Sequence, residues 1–356
     1  MKHTPTIKEI SFELFNTCKK IKFYGFDPYD GINNKILSHP YIPKWGKIFF
    51  TQFSKIFFIN VRRLLGIAPH QNPKALALFA LGAYLQSNNE EYDELMDTLT
   101  NNTKGWGYPF PWQSRTFFQK KDEILVVPSY FVACAMLKDA KKYQIHLDFL
   151  AEYFSKNLKQ KEFSDGSIAF SYGKNDSSCI YNVSALVGDF LCSYGAEFNH
   201  VWATNLGIKA LQFVINGQNA NGSWYYGTDE NQKWVDCIHT IYNLQAIEKH
   251  SILLQNQKCM ENGFQYLMEN FVDSRDGSVG NFDKKRYPQE THTIGAFIAY
   301  LSQKRDLQRK DKEILENSVN YLIYKFYDKN RKQFFYRKNK YFTNKIFYMR
   351  WSNAHA

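Results

Sequence analysis

The sequence has little that would place it in a membrane, in a disulfide-linked scaffold or in a multidomain chain. Its six cysteines are scattered without Cys-x-x-Cys spacing, which favours free thiols and a reducing compartment. No apolar run reaches the roughly 18 residues that a membrane-spanning helix needs, and residues 1–14 lack the apolar core of a signal peptide. No segment rich in proline, serine or glycine divides the chain. These absences predict one domain over residues 1–356 and a cytoplasmic location.

Aromatic and basic residues, by contrast, are abundant. The chain is 44% apolar and 17% aromatic, which is enough for a large core and an aromatic-lined cavity. Its net charge is +11, with Lys and Arg spread along the chain and no nucleic-acid-binding motif, so nucleic acid is not predicted as a partner. The excess either reflects lysines on solvated helix faces or attracts an anionic partner, such as an acidic glycan, a sugar phosphate or a membrane surface.

A unit of two helices joined by a glycine-containing turn recurs along the chain. In residues 209–242, an amphipathic helix ends at Gly217, a turn surrounds Gly222, and a second helix begins at Asp236, whose carboxylate suits a helix N-terminus. Second helices of this kind begin at residues 128, 182, 236 and 290, each 54 residues after the one before. A period above 50 residues that holds two helices is typical of a helical-hairpin array.

The array predicts an all-α fold, an (α/α)6 toroid in which six hairpins close into a ring. We expect inner helices to begin near residues 73, 128, 182, 236, 290 and 350. Outer helices are expected at 146–158, 204–217, 256–271 and 311–326. Residues 1–42 are assigned to an N-terminal arm and loop, and residues 43–356 to the repeats. An open solenoid is the alternative, but it needs polar capping units, and neither end of the chain resembles one.

Loops rich in aromatic and carboxylate side chains are expected at the mouth of such a ring. Asp27 and Asp30 lie in a loop with Gly and Pro, where they are either ordinary turn residues or ligands for sugar hydroxyls. The segment GWGYPFPWQS, residues 105–114, supplies rings that either stack on a sugar or plug the end of the barrel. The predicted substrate-binding residues are Asp27, Asp30, Trp106, Tyr108, Trp112, Asn182, Trp224, Tyr226 and Trp351.

Candidate catalytic residues lie at the starts of the inner helices. They are Asp236, His239, Tyr242, Glu290, His292 and Arg350. The first three share one helical face through i, i+3 spacing, and the N-terminal ends of all inner helices in a ring point into one mouth. Two histidines, two carboxylates and an arginine at matching repeat positions favour a functional site over isolated structural residues. Asp236 and Cys237 are adjacent on a helix, about 100° apart, and cannot easily face one ion, so neither a metal nor a cofactor is predicted.

Residues 43–66 combine aromatic and basic side chains. The segment holds Trp45 and five phenylalanines together with Lys and Arg at both ends. Such a helix is able to lie on an anionic membrane surface. An outer helix of the ring, buried on one side, explains the same pattern and is favoured.

Two segments resemble known toroids. Residues 209–224, KALQFVINGQNANGSW, resemble the QW motif of squalene–hopene-type terpene cyclases, which are α-toroids. The segment from Asp236 to Thr240 is faintly similar to the β subunits of protein prenyltransferases, which are also toroids. The sequence lacks the DxDD motif of the protonating cyclases, and the Asp-x-Cys zinc pair of prenyltransferases is out of register. The resemblance implies the fold and not the chemistry.

A further resemblance covers nearly the whole chain. It rests on segments 26–33 (FDPYDGIN), 72–76 (NPKAL), 105–115 (GWGYPF with WQSR), 222–224 (GSW) and 348–351 (YMRW). Together they resemble a toroid family of bacterial exopolysaccharide and O-antigen clusters that is labelled as polysaccharide-biosynthesis protein. This implies an association with surface-glycan assembly without implying a reaction. The family continues into a sixth inner helix where this sequence stops, so the last inner helix is expected to be truncated, or the ring to be closed in another way.

These observations predict a protein of bacterial surface-polysaccharide biosynthesis, more an enzyme than not, that modifies an acidic glycan or its lipid-linked precursor. As a lyase or epimerase it would abstract a proton beside a uronate carboxylate, with His239 or His292 as base, Tyr226 or Tyr242 as partner, and Arg350 on the acid. As a hydrolase it would use two carboxylates; those available are Asp236, Glu290, Asp27 and Asp30.

Two other classes of function remain open. One is a non-catalytic glycan-binding or assembly factor, and the other is an isoprenoid-handling toroid like a cyclase or prenyltransferase. The cavity lining distinguishes them, because sugar chemistry needs polar groups and carboxylates, binding needs aromatic rings alone, and isoprenoids need aliphatic walls. Contact with the inner face of the membrane through residues 43–66 is a further open option.

Overall fold

The computed structural model describes residues 6–101, 105–113, 118–304 and 307–356. Ser114 and Arg115, which belong to a segment of the whole-chain resemblance, lie outside them. The described α-helices are α1 (Ile7–Lys20), α2 (Lys44–Ile56), α3 (Pro73–Leu85), α4 (Asn89–Thr100), α5 (Val126–Met136), α6 (Gln144–Asn157), α7 (Tyr181–Phe198), α8 (Val201–Asn216), α9 (Cys237–Lys249), α10 (Ser251–Leu254), α11 (Gln257–Phe271), α12 (Thr291–Gln303) and α13 (Arg309–Phe326). A π-helical turn, Met349–Asn353, follows near the end of the chain.

Short antiparallel strands lie between the helices. They are β1 (Trp112–Gln113), β2 (Phe118–Gln119), β3 (Gln160–Glu162), β4 (Ile168–Phe170), β5 (Val272–Asp273), β6 (Ser278–Val279), β7 (Gln289–Glu290), β8 (Tyr327–Asp328), β9 (Gln333–Phe334), β10 (Arg337–Lys338) and β11 (Thr343–Asn344). Four pairs of consecutive strands form two-stranded ribbons, and a three-stranded sheet has the order β11-β10-β7. None of these sheets is long enough to form a separate layer.

The helices form two concentric walls. On the inside, α3, α5, α7, α9 and α12 each contact the next, and the π-helical turn contacts both α12 and α3. On the outside, α4 packs against α3, α6 against α5 and α7, α8 against α7, α11 against α9, and α13 against α12. The first helix, α1, packs against the π-helical turn. The ring therefore has six inner and six outer elements, and the two ends of the chain meet where it closes.

The two walls differ in sequence because they differ in surroundings. Nine of the eleven residues of α5 are buried, as expected for a helix with protein on every side. The outer helix α1 instead has one apolar stripe, formed by Ile10, Leu14 and Cys18. Its N-terminus is fixed by a capping box, in which Thr6 and Glu9 each satisfy a backbone N–H of the other.

The recurring Asp/Asn-Gly-Ser turns have a structural explanation. Gly166, Gly222 and Gly277 have φ values of 78°, 87° and 72°, a left-handed conformation that residues with a Cβ disfavour. In the first of these turns, Oδ1 of Asp165 accepts hydrogen bonds from the backbone N–H and the hydroxyl of Ser167. Each turn reverses the chain between an outer helix and the next inner helix.

The predicted all-α toroid is confirmed. Inner helices expected near residues 73, 128, 182, 236 and 290 begin at residues 73, 126, 181, 237 and 291. The four predicted outer helices correspond to α6, α8, α11 and α13, with ends that differ by at most three residues. The sixth inner position, expected near residue 350, holds only the five-residue π-helical turn. The assignment of residues 1–356 to one domain stays a prediction.

Helix α2 differs from the favoured prediction for residues 43–66. It belongs to neither wall and instead covers the end of the ring at which the inner helices begin, so that Ile48, Gln52 and Lys55 face the interior there. Its other side is exposed, with 75% of Trp45 and 59% of Phe49 accessible to solvent. The outer-helix prediction was wrong because the ring already has six outer elements without α2.

A buried carboxylate connects three inner helices away from this end. Asp189 of α7 accepts hydrogen bonds from the Tyr130 hydroxyl of α5 at 2.5 Å and from Nε2 of His250, which ends α9, at 2.8 Å. Nζ of Lys249 lies 2.7 Å from the same carboxylate. Burial opposes ionisation of Asp189, but Lys249 and His250 outweigh it and hold the pKa of the carboxyl well below its usual value.

All six cysteines lie among the described residues and are free thiols. Burial raises the pKa of Cys18 and of Cys259 to about 12, so these thiols are core residues and not nucleophiles. In the described part of the chain, no helix combines the length and the apolar character needed to cross a membrane.

Candidate active site

The inner helices begin around one cavity of about 760 Å³. All six predicted catalytic residues line it: Asp236, His239, Tyr242, Glu290, His292 and Arg350. Five predicted substrate-binding residues also line it: Tyr108, Trp112, Asn182, Tyr226 and Trp351. A second hollow of about 860 Å³ lies along α1 at the surface and contains none of them. The structure therefore brings together the residues that the repeat places at matching positions, while their chemical roles stay predictions.

The repeat explains which side chains enter the cavity. The second residue of each inner element lines it, in chain order Lys74, Val127, Asn182, Ile238, His292 and Arg350. Because equivalent helices have equivalent orientations in a ring, this register aims one side chain per hairpin at the axis. Three of the six are of basic residue types, and Arg350 among them carries a full positive charge.

Asp236 and His239 form a hydrogen-bonded pair in the cavity wall. Asp236 is the N-cap of α9, and its carboxylate accepts from the His239 backbone N–H at 3.0 Å and from Nε1 of Trp234 at 3.0 Å. Nδ1 of His239 lies 2.7 Å from Oδ2 of Asp236. Burial opposes ionisation of Asp236, but the His239 ring and these donors outweigh it and lower its pKa.

This arrangement fixes the tautomer of His239. An ionised carboxylate only accepts hydrogen bonds, so Nδ1 of the neutral ring carries the proton and Nε2 carries a lone pair. No described residue hydrogen-bonds to Nε2, and 29% of the side chain is accessible from the cavity. The Tyr226 ring, 4.7 Å from the imidazole, stacks in turn on Trp234 at 4.5 Å and holds the ring from one side. The pair has the geometry of a general base with an orienting carboxylate.

An ion pair with Asp27, 323 residues away in sequence, holds Arg350 at the cavity. Its Nε and Nη2 donate to the two carboxylate oxygens of Asp27 at 2.6 and 2.7 Å. The guanidinium carbon lies 4.7 Å above the Tyr108 ring. Asp27 itself is 1% exposed and does not line the cavity. Arg350 is thus presented to the cavity with its orientation fixed from behind.

Glu290 is already paired with an arginine. Nε and Nη2 of Arg337, from β10, both donate to Oε1 of Glu290. The Tyr336 hydroxyl donates to the same oxygen at 3.2 Å. Glu290 and Arg337 both line the cavity. Oε1 of Glu290 is therefore occupied by donors from Arg337 and Tyr336.

A line of buried groups crosses the floor of the cavity. Nζ of Lys74 lies 3.1 Å from the Tyr242 hydroxyl, which is 3.4 Å from Nε2 of His292. Burial, the neighbouring His355 and Lys74 lower the pKa of His292 well below its usual value. His292 is therefore neutral, and its ring lies 4.2 Å from Trp351.

Four predicted substrate-binding residues lie elsewhere. Trp106 and Trp224 are 3% and 2% exposed, and each indole N–H donates to a helix carbonyl, that of Leu99 or of Val214, at 2.8 Å. Each indole is therefore held against the outer helix that precedes it in the chain, Trp106 against α4 and Trp224 against α8.

Asp27 and Asp30 are also structural. Asp27 binds Arg350, and Asp30 is fully buried and binds Nε of Arg62 at 2.5 Å. Arg62 in turn donates to the backbone carbonyl of Asp27. Their assignment as substrate ligands is corrected, because neither carboxylate reaches the cavity.

Several lining residues were missed by sequence reasoning. They include Tyr29, Lys55, Lys74, Trp234 and Arg337. The register of the repeat identifies Lys74, since it is the second residue of an inner helix like His292. No sequence signal identifies Arg337 or Lys55, which lie on a short strand and on the covering helix α2. Among the described residues, no three or more His, Cys, Asp and Glu side chains are grouped as metal ligands would be.

The chain was compared with known families and structures. No protein-family model matches it, and no curated protein matches it. Among solved structures it is similar to cellobiose 2-epimerase from Bacillus thermoamylovorans B4167, with TM-score 0.60 and 11% identity over 81% of this chain and 88% of that one.

Two more structures are similar. One is a possible member of the GH105 family from Salmonella enterica, with TM-score 0.59 and 9% identity over 94% of this chain and 85% of that one. The other is ent-copalyl diphosphate synthase from Streptomyces platensis, with TM-score 0.52 and 10% identity over 99% of this chain and 67% of that one. At these identities the similarity shows the fold alone: the chain is an α/α-toroid.

Proposed function

We propose that this protein is an enzyme that modifies an acidic carbohydrate by proton abstraction, with His239 as the base. The observation that carries the proposal is Nε2 of His239, which faces the cavity without a protein partner in the described chain while Asp236 fixes Nδ1. Toroids named as sugar epimerases and as a GH105 member share the fold, which agrees with a carbohydrate substrate.

The chemistry uses two residues of the cavity, His239 and Arg350. His239 takes the proton from the carbon next to the substrate carboxylate, and the C–H electron pair moves into that carboxylate to form an enediolate. Arg350 stabilises the added negative charge. Return of a proton from water to the opposite face gives an epimer. Alternatively, the enediolate electrons form a C=C bond as an oxygen substituent leaves the neighbouring carbon and takes the proton held by His239, which gives an unsaturated sugar.

The charges in the cavity favour an acidic substrate. Lys55, Arg337 and Arg350 line it, and among the described residues only two carboxylates, Asp236 and Glu290, line it with them. Nζ of Lys55 donates to the Tyr29 hydroxyl at 2.6 Å and has no carboxylate partner among the described residues. The N-termini of the inner helices add partial positive charge at the same place. An anion entering the cavity therefore finds cations that are not fully neutralised.

Hydrolysis is less well supported. A glycosidase needs one carboxylic acid that is protonated near neutral pH and a second carboxylate across the sugar. Of the two carboxylates that line the cavity among the described residues, Asp236 has a lowered pKa and Glu290 is bound by Arg337, so neither is free to act as a protonated acid. The charged lining is also unlike the aliphatic wall that an isoprenoid-handling toroid needs. A glycan-binding factor without activity remains the alternative, and deuterium exchange into the substrate distinguishes it.

The acidic-sugar preference is testable by calorimetry. We expect glucuronate or galacturonate to bind at least about tenfold more tightly than glucose or galactose at low salt, because each cation–carboxylate contact is worth about 1–3 kcal/mol. Lys55→Met should remove part of this preference, whereas Lys44→Met, an exposed residue of the same helix, should not. Equal affinity for acidic and neutral sugars, or no binding of either, contradicts the proposal.

We further propose that the glycan is carried on a lipid of an anionic membrane, which agrees with the association with surface-glycan assembly that the resemblance implies. Residues 31–89 and 329–356 contain 15 Lys and Arg and no Asp or Glu, which exceeds the +11 of the whole chain. The basic residues are thus concentrated in these two segments and not evenly spread along the chain. The two segments are in contact, since the rings of Phe58 and Phe342 lie 6.1 Å apart. Exposed apolar side chains on them are Tyr41, Trp45, Phe49, Phe58, Leu64 and Tyr341.

This basic aromatic face lies beside the cavity mouth that α2 covers, so a bilayer that binds it delivers a lipid-linked sugar to the cavity. The protein should sediment with vesicles that contain phosphatidylglycerol and not with pure phosphatidylcholine. Trp45→Ala should weaken this binding several-fold, because an interfacial indole is lost. Trp202→Ala removes an exposed indole from the outer wall and serves as the control. Equal loss in both variants, or no binding to anionic vesicles, rules the face out.

A further inference from the structure

Lys74, the second residue of the inner helix α3, has its amine at the cavity. No carboxylate of the described residues pairs with this amine. Lys74 is 2% exposed, lines the cavity, and forms no ion pair within the described residues. Its Nζ contacts the Tyr242 hydroxyl at 3.1 Å and lies 4.1 Å from the centre of the Phe131 ring. Neither the sequence comparison nor the proposed proton abstraction assigns it a role.

The surroundings of Lys74 favour the neutral amine. Burial disfavours the ammonium form, and the positive charge of Arg350 opposes it further, which together hold the pKa of Lys74 well below its usual value. The Phe131 ring attracts a cation, but such contacts are worth at most about 2 kcal/mol and do not replace the lost hydration. A lysine that keeps its charge inside a protein is paired, and this one is not.

We propose that Lys74 is a nucleophilic amine that condenses with the aldehyde of an open-chain reducing sugar to form an imine in the cavity. The inference rests on the proposed function in one respect, that the substrate is an acidic sugar, and it adds a covalent step. A buried lysine without a counter-ion beside a phenol has the features of amines that form imines.

The step balances with the groups at hand. The Nζ lone pair attacks the aldehyde carbon, and the carbonyl electrons move to oxygen, which takes the Tyr242 hydroxyl proton. The tyrosine recovers a proton from the attacking nitrogen. The resulting carbinolamine then loses its hydroxyl group and the remaining nitrogen proton as water, leaving a C=N bond. Burial raises the pKa of Tyr242 well above its usual value, so its hydroxyl begins each cycle protonated.

Reductive trapping with a defined probe tests the proposal. The full-length protein is incubated with glucuronate, reduced with sodium borohydride, digested and mapped by mass spectrometry. We expect one reduced glucuronate on the peptide that holds Lys74, at a yield well above that of any surface lysine. The yield at Lys74 should change little between pH 7 and 9, whereas surface lysines, which are protonated there, gain about tenfold per pH unit.

Two variants complete the test. Lys74→Arg keeps a basic side chain but cannot form an imine, so the adduct should disappear while glucuronate still binds in calorimetry. Tyr242→Phe should slow trapping at least several-fold without moving the site of modification. Glucuronate that binds wild-type protein but leaves no adduct on Lys74 overturns the imine and leaves the proposed function standing. Absence of glucuronate binding overturns the proposed function itself.

Discussion

Replacing His239 by Ala is expected to lower the rate of proton exchange at the substrate by about 10²–10⁴-fold, the range for loss of a general base. The measurement is the incorporation of solvent deuterium next to the carboxylate of uronate-containing oligosaccharides, followed by NMR. Stability should change little, because the His239 side chain is 29% exposed and its Nε2 has no partner in the described chain. His39→Ala, at an exposed histidine, is the control.

Variants of Asp236 separate positioning from folding. Asp236→Asn keeps an N-cap side chain but cannot hold the Nδ1–H tautomer, so the rate should fall with little change in melting temperature. Asp236→Ala also removes the helix N-cap and leaves the donors of Trp234 and His239 without an acceptor. It should lower the free energy of unfolding by about 1–3 kcal/mol. A His239→Ala protein that exchanges deuterium at the wild-type rate would falsify the assignment of the base.

Replacing Asp189 by Ala is expected to destabilise the fold by about 3–5 kcal/mol, one of the largest effects available in the chain. The change leaves Lys249, His250 and the Tyr130 hydroxyl without their shared acceptor in the interior. Urea denaturation at pH 7 measures the loss, and Asp97→Ala, at an exposed residue of α4, is the control. A loss under about 1 kcal/mol would mean that water replaces the carboxylate and that the network contributes little.

The same carboxylate makes stability depend on pH. The pKa of Asp189 is lower in the folded protein than in the unfolded chain. Its contribution to stability is therefore present above the unfolded pKa near 3.9 and is lost as the pH falls from there through the lower folded pKa. Wild-type protein should therefore lose more stability between pH 4 and pH 2 than Asp189→Asn does. Parallel curves for the two proteins would assign the acid sensitivity to other carboxylates.

The repeat made most of the fold predictable, because it is a local pattern copied at a constant spacing. An amphipathic outer helix, a turn with Gly at positive φ and an apolar inner helix recur, and each copy confirms the others. The same spacing placed Asp236 and His292 at the starts of neighbouring inner helices. Contacts between repeats carry no such pattern. The ion pair between Arg350 and Asp27 joins residues 323 apart in sequence. No sequence pattern near either residue predicts that the two will meet.

The large aromatic residues show the limit in another way. Trp224 and Trp234 lie ten residues apart in one loop region, yet the first packs into the core and the second stacks at the cavity. Amino-acid composition does not distinguish a buried tryptophan from one that lines the cavity. The difference is set by backbone direction after the turn at Gly222, which carries the first indole back under α8, where its N–H donates to the Val214 carbonyl.

The closure of the ring has a thermodynamic consequence. Among the described residues, five inner positions are long helices, and the sixth, at the junction between the two chain ends, is a five-residue π-helical turn that contacts α12 and α3. Arg350, which Asp27 anchors across that junction, is also a cavity residue. A bound anion that contacts Arg350 therefore adds its binding energy to ring closure, and by linkage a closed ring binds the anion more tightly.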